Sequence, residues 1–206
     1  MTNDQILENL TYASTLAREG AETPLLGGRI GLMWGILLSV TLTAQWAILS
    51  GLVQIPPTNL FYLWLGFALV GGVGSAVMGR QIEKKDGAQS TANRVEKHVW
   101  TMFSVMLMAL FVGVVLSMLV GQGTYTLFGV IVAVAFAGQG LAYGVVALMS
   151  DTKWLQLVSA ASFVTAAISM ALYGDVLVYL VGGIASLVTI VVPSVVTLQG
   201  EPRHDG

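Results

Sequence analysis

The chain has 206 residues, 55% of them hydrophobic and only 10% charged, with a net charge of −2 and no cysteine. A soluble domain carries about 25% charged residues, so a mean hydropathy of +0.80 names the bilayer, not water, as the solvent. The charge balance excludes a nucleic-acid footprint, and the missing thiols exclude disulfides, thiol catalysis and thiolate metal sites.

Residues 1–29 are polar and hold a helix pattern of their own. Ile6, Leu10, Ala13 and Ala17 recur on one helical face over Thr2 to Gly20, widened by Leu7 and Leu16. Thr2 and Gln5 have capping-box spacing, Asp4 and Glu8 suit the positive helix end, and Gly20 suits its termination. Pro24 and Gly27–Gly28 then make a flexible approach to the first apolar run. That run begins near Ile30, too late and too long for a cleavable signal, so the segment is expected to be retained. Asp4, Glu8, Glu19 and Glu22 outnumber Arg18 and Arg29. A lipid-surface helix wants the opposite sign, so docking on protein is the better expectation.

Six stretches then reach the roughly 20 apolar residues that a bilayer core requires: 30–50, 60–79, 99–120, 125–149, 154–172 and 176–197. None contains Asp, Glu, Lys, Arg or His. Backbone amides in hydrocarbon must pair internally, and the runs lack strand-like alternation, so each is expected to be a helix. The expected fold is an all-α membrane protein. Its six-transmembrane-helix bundle of three hairpins spans residues 30–197, between the N-terminal segment and a tail at 198–206.

All nine Lys and Arg fall on one side of this layout. Arg18 and Arg29 precede span one, and Arg80, Lys84, Lys85, Arg94 and Lys97 lie in the loop 80–98. Lys153 lies between spans four and five, and Arg203 lies in the tail. Positive charge stays cytoplasmic, so both termini are expected inside. Such a layout resembles small bacterial inner-membrane proteins with an N-terminal cytoplasmic helix, which implies that location. The loop 80–98 carries net +2 against the acidic N-terminal helix. That complementarity makes Ile6, Leu10, Ala13 and Ala17, with Lys84 and Lys85, a candidate platform for a partner, although obedience to the positive-inside rule alone also explains the loop. Trp34, Trp100 and Trp154 near one boundary, with Trp46 and Trp64 near the other, fit interfacial belts. Gly51, Gly121 and Gly174 mark the three outer turns.

Chemistry is sparse. The two histidines cannot ligate a haem between facing helices, and His98, Met102 and Met106, on one face of span three, read as packing rather than as a copper site. No cofactor is expected. The most polar deep feature is Gly138–Gln139–Gly140 in span four, where two glycines suggest a helix break beside a buried amide. Tyr143 follows one turn on. Ser159, Ser162, Ala166 and Ser169 line span five, glycines line span two, and Gly182, Gly183, Ser186 and Thr189 line span six. Two readings stay open: Gln139 is interhelical glue, or Gln139, Tyr143, Ser159 and Ser162, with Gln45 toward the outer end of span one, surround a small ligand. The function expected first is a non-enzymatic accessory, regulatory or scaffold subunit, binding protein partners or a second copy of itself in the bilayer. A channel or facilitator for a small neutral solute or lipid is the alternative.

Overall fold

The structure, a computed structural model, describes residues 24–85 and 87–200 together with Gln5, Leu7, Thr11 and Tyr12. Every regular element among the described residues is helical. They are α1 (Gly28–Leu49), α2 (Leu60–Ile82, led in by a 3-10 turn at Pro57–Asn59), α3 (Thr91–Leu119), α4 (Leu127–Met149), α5 (Trp154–Ala171) and α6 (Leu177–Gln199). All six are long and apolar enough to cross a membrane, which is the architecture of a multi-pass helical membrane protein. Gln5, Leu7, Thr11 and Tyr12 are helical, and Thr11 Oγ1 donates to Leu7 O at 2.8 Å. The expected contact residues Ile6, Leu10, Ala13 and Ala17 lie outside the described residues.

Helix α3 overruns its apolar stretch. It starts at Thr91, because Ser90 Oγ caps it by accepting from Asn93 N, so Arg94, Glu96 and Lys97 ride on helix and not on loop. The connection from α2 shrinks to about residues 83–90, and Lys84 lies there exposed. Glu83 and Lys97 pair across it at 2.6 Å, and that hydrogen bond holds the Glu83 carboxyl below its ordinary range. The turns after α1, α3 and α5 each need a left-handed residue, and Gly51, Gly121 and Gly174 supply it with φ of 77°, 73° and 84°.

The helices form an arc. Helix α2 leans on α1, α1 runs along the whole of α6, α6 meets α5 and α4, and α3 packs on α4. Although consecutive, α2 and α3 pack at most marginally on each other and stand at the two ends of the arc, with most of their surface exposed. The closest packing joins α4 to α5. Glycine makes the α1–α6 seam: a Cβ at Gly35 would meet Val191 and Ile190 at 2.8–3.1 Å, and one at Gly183 would meet Thr43 Oγ1 at 2.6 Å.

Apolar side chains fill the arc near both ends. At the end carrying the basic residues, Leu25, Ala92, Tyr143, Val146, Ala147 and Leu155 cluster with Trp100 and Trp154. At the opposite end, Leu42, Val132, Phe136, Val178 and Tyr179 cluster with Trp46 and Trp64. The tryptophans serve this packing as much as any interface. Trp34 Nε1 donates to Ser75 Oγ at 2.8 Å, its ring lies edge-on to Phe67, and its six-membered ring fills the space left by Gly71.

Candidate functional site

Between the two apolar clusters lies a polar layer. Gln139, on the inner face of α4, is 3% exposed, with Phe136 one turn toward one end and Tyr143 one turn toward the other. Its Nε2 donates to Ser162 Oγ of α5 and to Thr189 Oγ1 of α6, both at 2.9 Å, and lies 3.4 Å from Thr189 O. One side chain therefore ties three helices together. Ser159 Oγ adds a fourth cross-tie, donating to Gly140 O at 2.6 Å.

Both hydroxyls facing Gln139 spend their protons on their own helices. Ser162 Oγ donates to Val158 O at 2.8 Å, and Thr189 Oγ1 donates to Ala185 O at 2.9 Å. This back-bonding lets a hydroxyl sit in a buried helix without an unpaired proton. Thr165 and Ser186 do the same with Ala161 O and Gly182 O. Ser169 does not: its Oγ is enclosed with no hydrogen-bond partner.

The expected break beside Gln139 is not in α4, which runs unbroken from Leu127 to Met149. The flanking glycines serve close approach instead. A Cβ at Gly138 would meet Met106 and Phe103 of α3 at 2.7–3.1 Å, and one at Gly140 would meet Phe163 of α5 at 3.0 Å. The irregularity lies in the facing helix. Residues Leu187–Val191 form a π-helical turn, and Pro193 follows within α6. Proline has no N–H, so the α-helical donor four residues beyond Thr189 is missing. Gln139 Nε2 lies 3.4 Å from the Thr189 carbonyl oxygen. The sequence held the signal in Thr189 and Pro193, four residues apart.

Of the other expected site residues, Tyr143 belongs to the apolar cluster at the basic end, with its ring 5.2 Å from Trp100. Gln45 is buried at the other end, where Oε1 accepts from Trp64 Nε1 at 2.8 Å. The structure thus joins Gln139, Ser159 and Ser162 into one layer, adds Thr189, and sets Tyr143 and Gln45 apart from it.

A third buried amide, Asn93, went unread in the sequence. Asn93 Oδ1 accepts from Leu26 N at 2.9 Å, while Nδ2 lies 3.0 Å from Pro24 O, 3.1 Å from Gly87 O and 3.0 Å from Ser90 Oγ. It fastens the lead-in to α1 onto the start of α3, with Leu25 and Leu26 tucked beneath. What meets the start of α3 is the lead-in Pro24–Leu26; the expected docking face from Ile6 to Ala17 lies outside the described residues. Among the described residues, no group of three His, Asp or Glu is placed to hold a metal. In comparisons with protein families, with curated proteins and with solved structures, the chain matches none.

Proposed function

We propose that this protein is a non-enzymatic, multi-pass inner-membrane protein of bacteria, with both termini cytoplasmic. Its role is that of an accessory, regulatory or scaffold subunit that holds a protein partner within the bilayer. The observation that carries this reading is the free face of α2. Ala68, Gly72 and Ala76 recur there at every fourth residue, with Gly79 after them, and Ala68, Gly72 and Ala76 are exposed. Among the described residues, a Cβ built at Gly66, Gly72 or Gly79 meets nothing within 4 Å.

The same helix shows what such glycines do when a neighbour is present. On its inner side, Gly71 receives the Trp34 ring and Gly74 receives Met33 Sδ. Lipid tails give helices no hydrophobic reason to associate, so close backbone approach over small residues is the main attraction available. The outer face of α2 offers that approach to a helix from another chain, whether a different protein or a second copy. The N-terminal segment is the second route by which a partner is held.

The alternative, a facilitator for a small neutral solute or lipid, draws on the buried layer around Gln139. Phe136 and Tyr143 close that layer toward both ends, which favours the partner-binding reading.

Purification from native membranes into nanodiscs, followed by mass determination, tests the proposal. A stoichiometric protein partner, or a discrete oligomer, is expected. Gly72→Leu should release it while the chain stays folded, because no described residue occupies that space. Deleting residues 1–22 tests the second route. A monomer without companions, or a partner retained in both variants, would defeat the reading.

A further inference from the structure

Four cations and one carboxylate meet where α2 ends and α3 begins. Glu83 is the link: it pairs with Lys97 at 2.6 Å, and Arg80, one turn before it, lies close enough to act on the same carboxyl. Arg94 precedes Lys97 by one turn on α3, and Lys84 follows Glu83 directly. Arg80, Lys84, Arg94 and Lys97 are all exposed. Glu96, which stands between Arg94 and Lys97 in sequence, lies instead against Gly27 at the start of α1. Among the described residues, none forms an ion pair with Lys84 or Arg94. Like charges one turn apart on a helix repel, and a carboxylate already bound to Lys97 cannot balance the rest. The positive-inside rule accounts for the side on which these residues lie, but not for their convergence on a single carboxylate.

Past these charges the same face of α3 turns apolar and stays uncovered. At helical spacing from Arg94, Val105, Met108 and Val112 are exposed by 57%, 62% and 45%. Thr101, between them and the charges, spends its proton on Lys97 O at 2.7 Å and offers no free donor. We propose that this corner of the bundle binds an anionic phospholipid. Its phosphate sits among Arg80, Lys84, Arg94 and Lys97, and its acyl chains lie along Val105, Met108 and Val112. Each guanidinium presents a fork that fits two phosphate oxygens. The depth agrees: the apolar stretch of α2 ends at Gly79 and that of α3 begins at Val99, so the cations stand at headgroup level, where basic pockets between membrane helices take lipid phosphates. A soluble anion would balance the charges and leave the apolar face bare, whereas a phospholipid meets both. The site does not use the Gly72 face of α2, so either reading can fail alone.

Native mass spectrometry of the full chain, released from micelles holding equal amounts of phosphatidylglycerol and phosphatidylcholine, provides the test. Retention of phosphatidylglycerol well above phosphatidylcholine is expected. Arg80→Gln and Arg94→Gln, both at exposed positions that the fold does not need, should each weaken that retention roughly fivefold. Arg94→Lys keeps the charge and should weaken it less. Lys153→Gln removes one charge from the α4–α5 connection, at the same end of the bundle, and should change nothing. Equal retention of the two lipids overturns the proposal. So does an equal loss in Lys153→Gln and Arg94→Gln, which would reduce the attraction to net charge. Displacement of phosphatidylglycerol by millimolar inorganic phosphate would reveal an anion site indifferent to acyl chains, and overturns it as well.

Discussion

Gly71 and Gly72 are neighbours in one helix, and alanine at each should move stability in opposite directions. Alanine in place of a mid-helix glycine gains about 0.8–1.0 kcal/mol of helix propensity. At Gly72 that gain stands alone, since an added Cβ meets nothing within 4 Å. At Gly71 the Cβ falls on the six-membered ring of Trp34. The indole has little room to slide, because Nε1 is bonded to Ser75 Oγ at 2.8 Å and the ring lies 5.1 Å from Phe67. Overpacking of this kind costs about 1–3 kcal/mol, and losing the indole hydrogen bond adds about 0.5–1.5 kcal/mol. The propensity gain is common to both variants and cancels between them. Gly71→Ala should therefore be less stable than Gly72→Ala by about 1.5–4.5 kcal/mol, roughly tenfold to a thousandfold in the unfolding equilibrium. Titration of each variant in mixed micelles with a denaturing detergent, followed by tryptophan fluorescence, measures that gap directly. Equal stability, or a more stable Gly71→Ala, would refute the packing of α1 on α2.

Three further outcomes are expected. Gln139→Leu removes two neutral interhelical hydrogen bonds of about 0.6 kcal/mol each and uncovers Thr189 O, so a loss of about 1–2 kcal/mol should appear in the same titration; a loss above about 4 kcal/mol would contradict hydroxyls that already satisfy themselves. Asn93→Ala strands Leu26 N–H and Pro24 O at a cost of about 2 kcal/mol, so hydrogen exchange at the Leu26 amide should quicken roughly thirty-fold. Unchanged exchange there would show that Asn93 does not hold the lead-in segment. With no native cysteine to interfere, Asp175→Cys should react with an impermeant thiol reagent from outside the cell and Lys85→Cys should not. Labelling of both from the same side would end the six-pass, both-ends-inside topology.

The spans were legible because hydrocarbon imposes one requirement on every residue in turn, and a run of apolar side chains records it. The start of α3 was hidden by the same rule: the hydropathy signal stops at Val99, whereas the helix continues back through Lys97, Glu96 and Arg94 to the cap at Ser90. Which helix neighbours which is a property of pairs, and hydropathy carries none of it. Gln139 could be placed by depth, but its partner Thr189 is 50 residues away. The two glycines around Gln139 suggested a break because a missing side chain weakens a helix. Phe103, Met106 and Phe163 supply packing where the glycines have none, and the helix holds. Asn93 gave no periodic signal, since its meaning depends on a segment 67–69 residues earlier.

The seam between α1 and α6 has a consequence for how the molecule is made. Gly35 lies against Ile190 and Val191, so α1 is covered by a helix synthesised about 150 residues after it. At about 5–20 residues per second, the ribosome needs roughly 8–30 seconds to deliver the covering strip. During that interval Ser39, buried in the finished fold with its carbonyl facing Gly183, must wait beside lipid or the insertion machinery. Gln45 is spared the wait, because its cover comes from Trp64 on the helix that emerges next. The nascent chain thus covers that amide early and leaves the Ser39 hydroxyl, which a helix can quiet by back-bonding, until later.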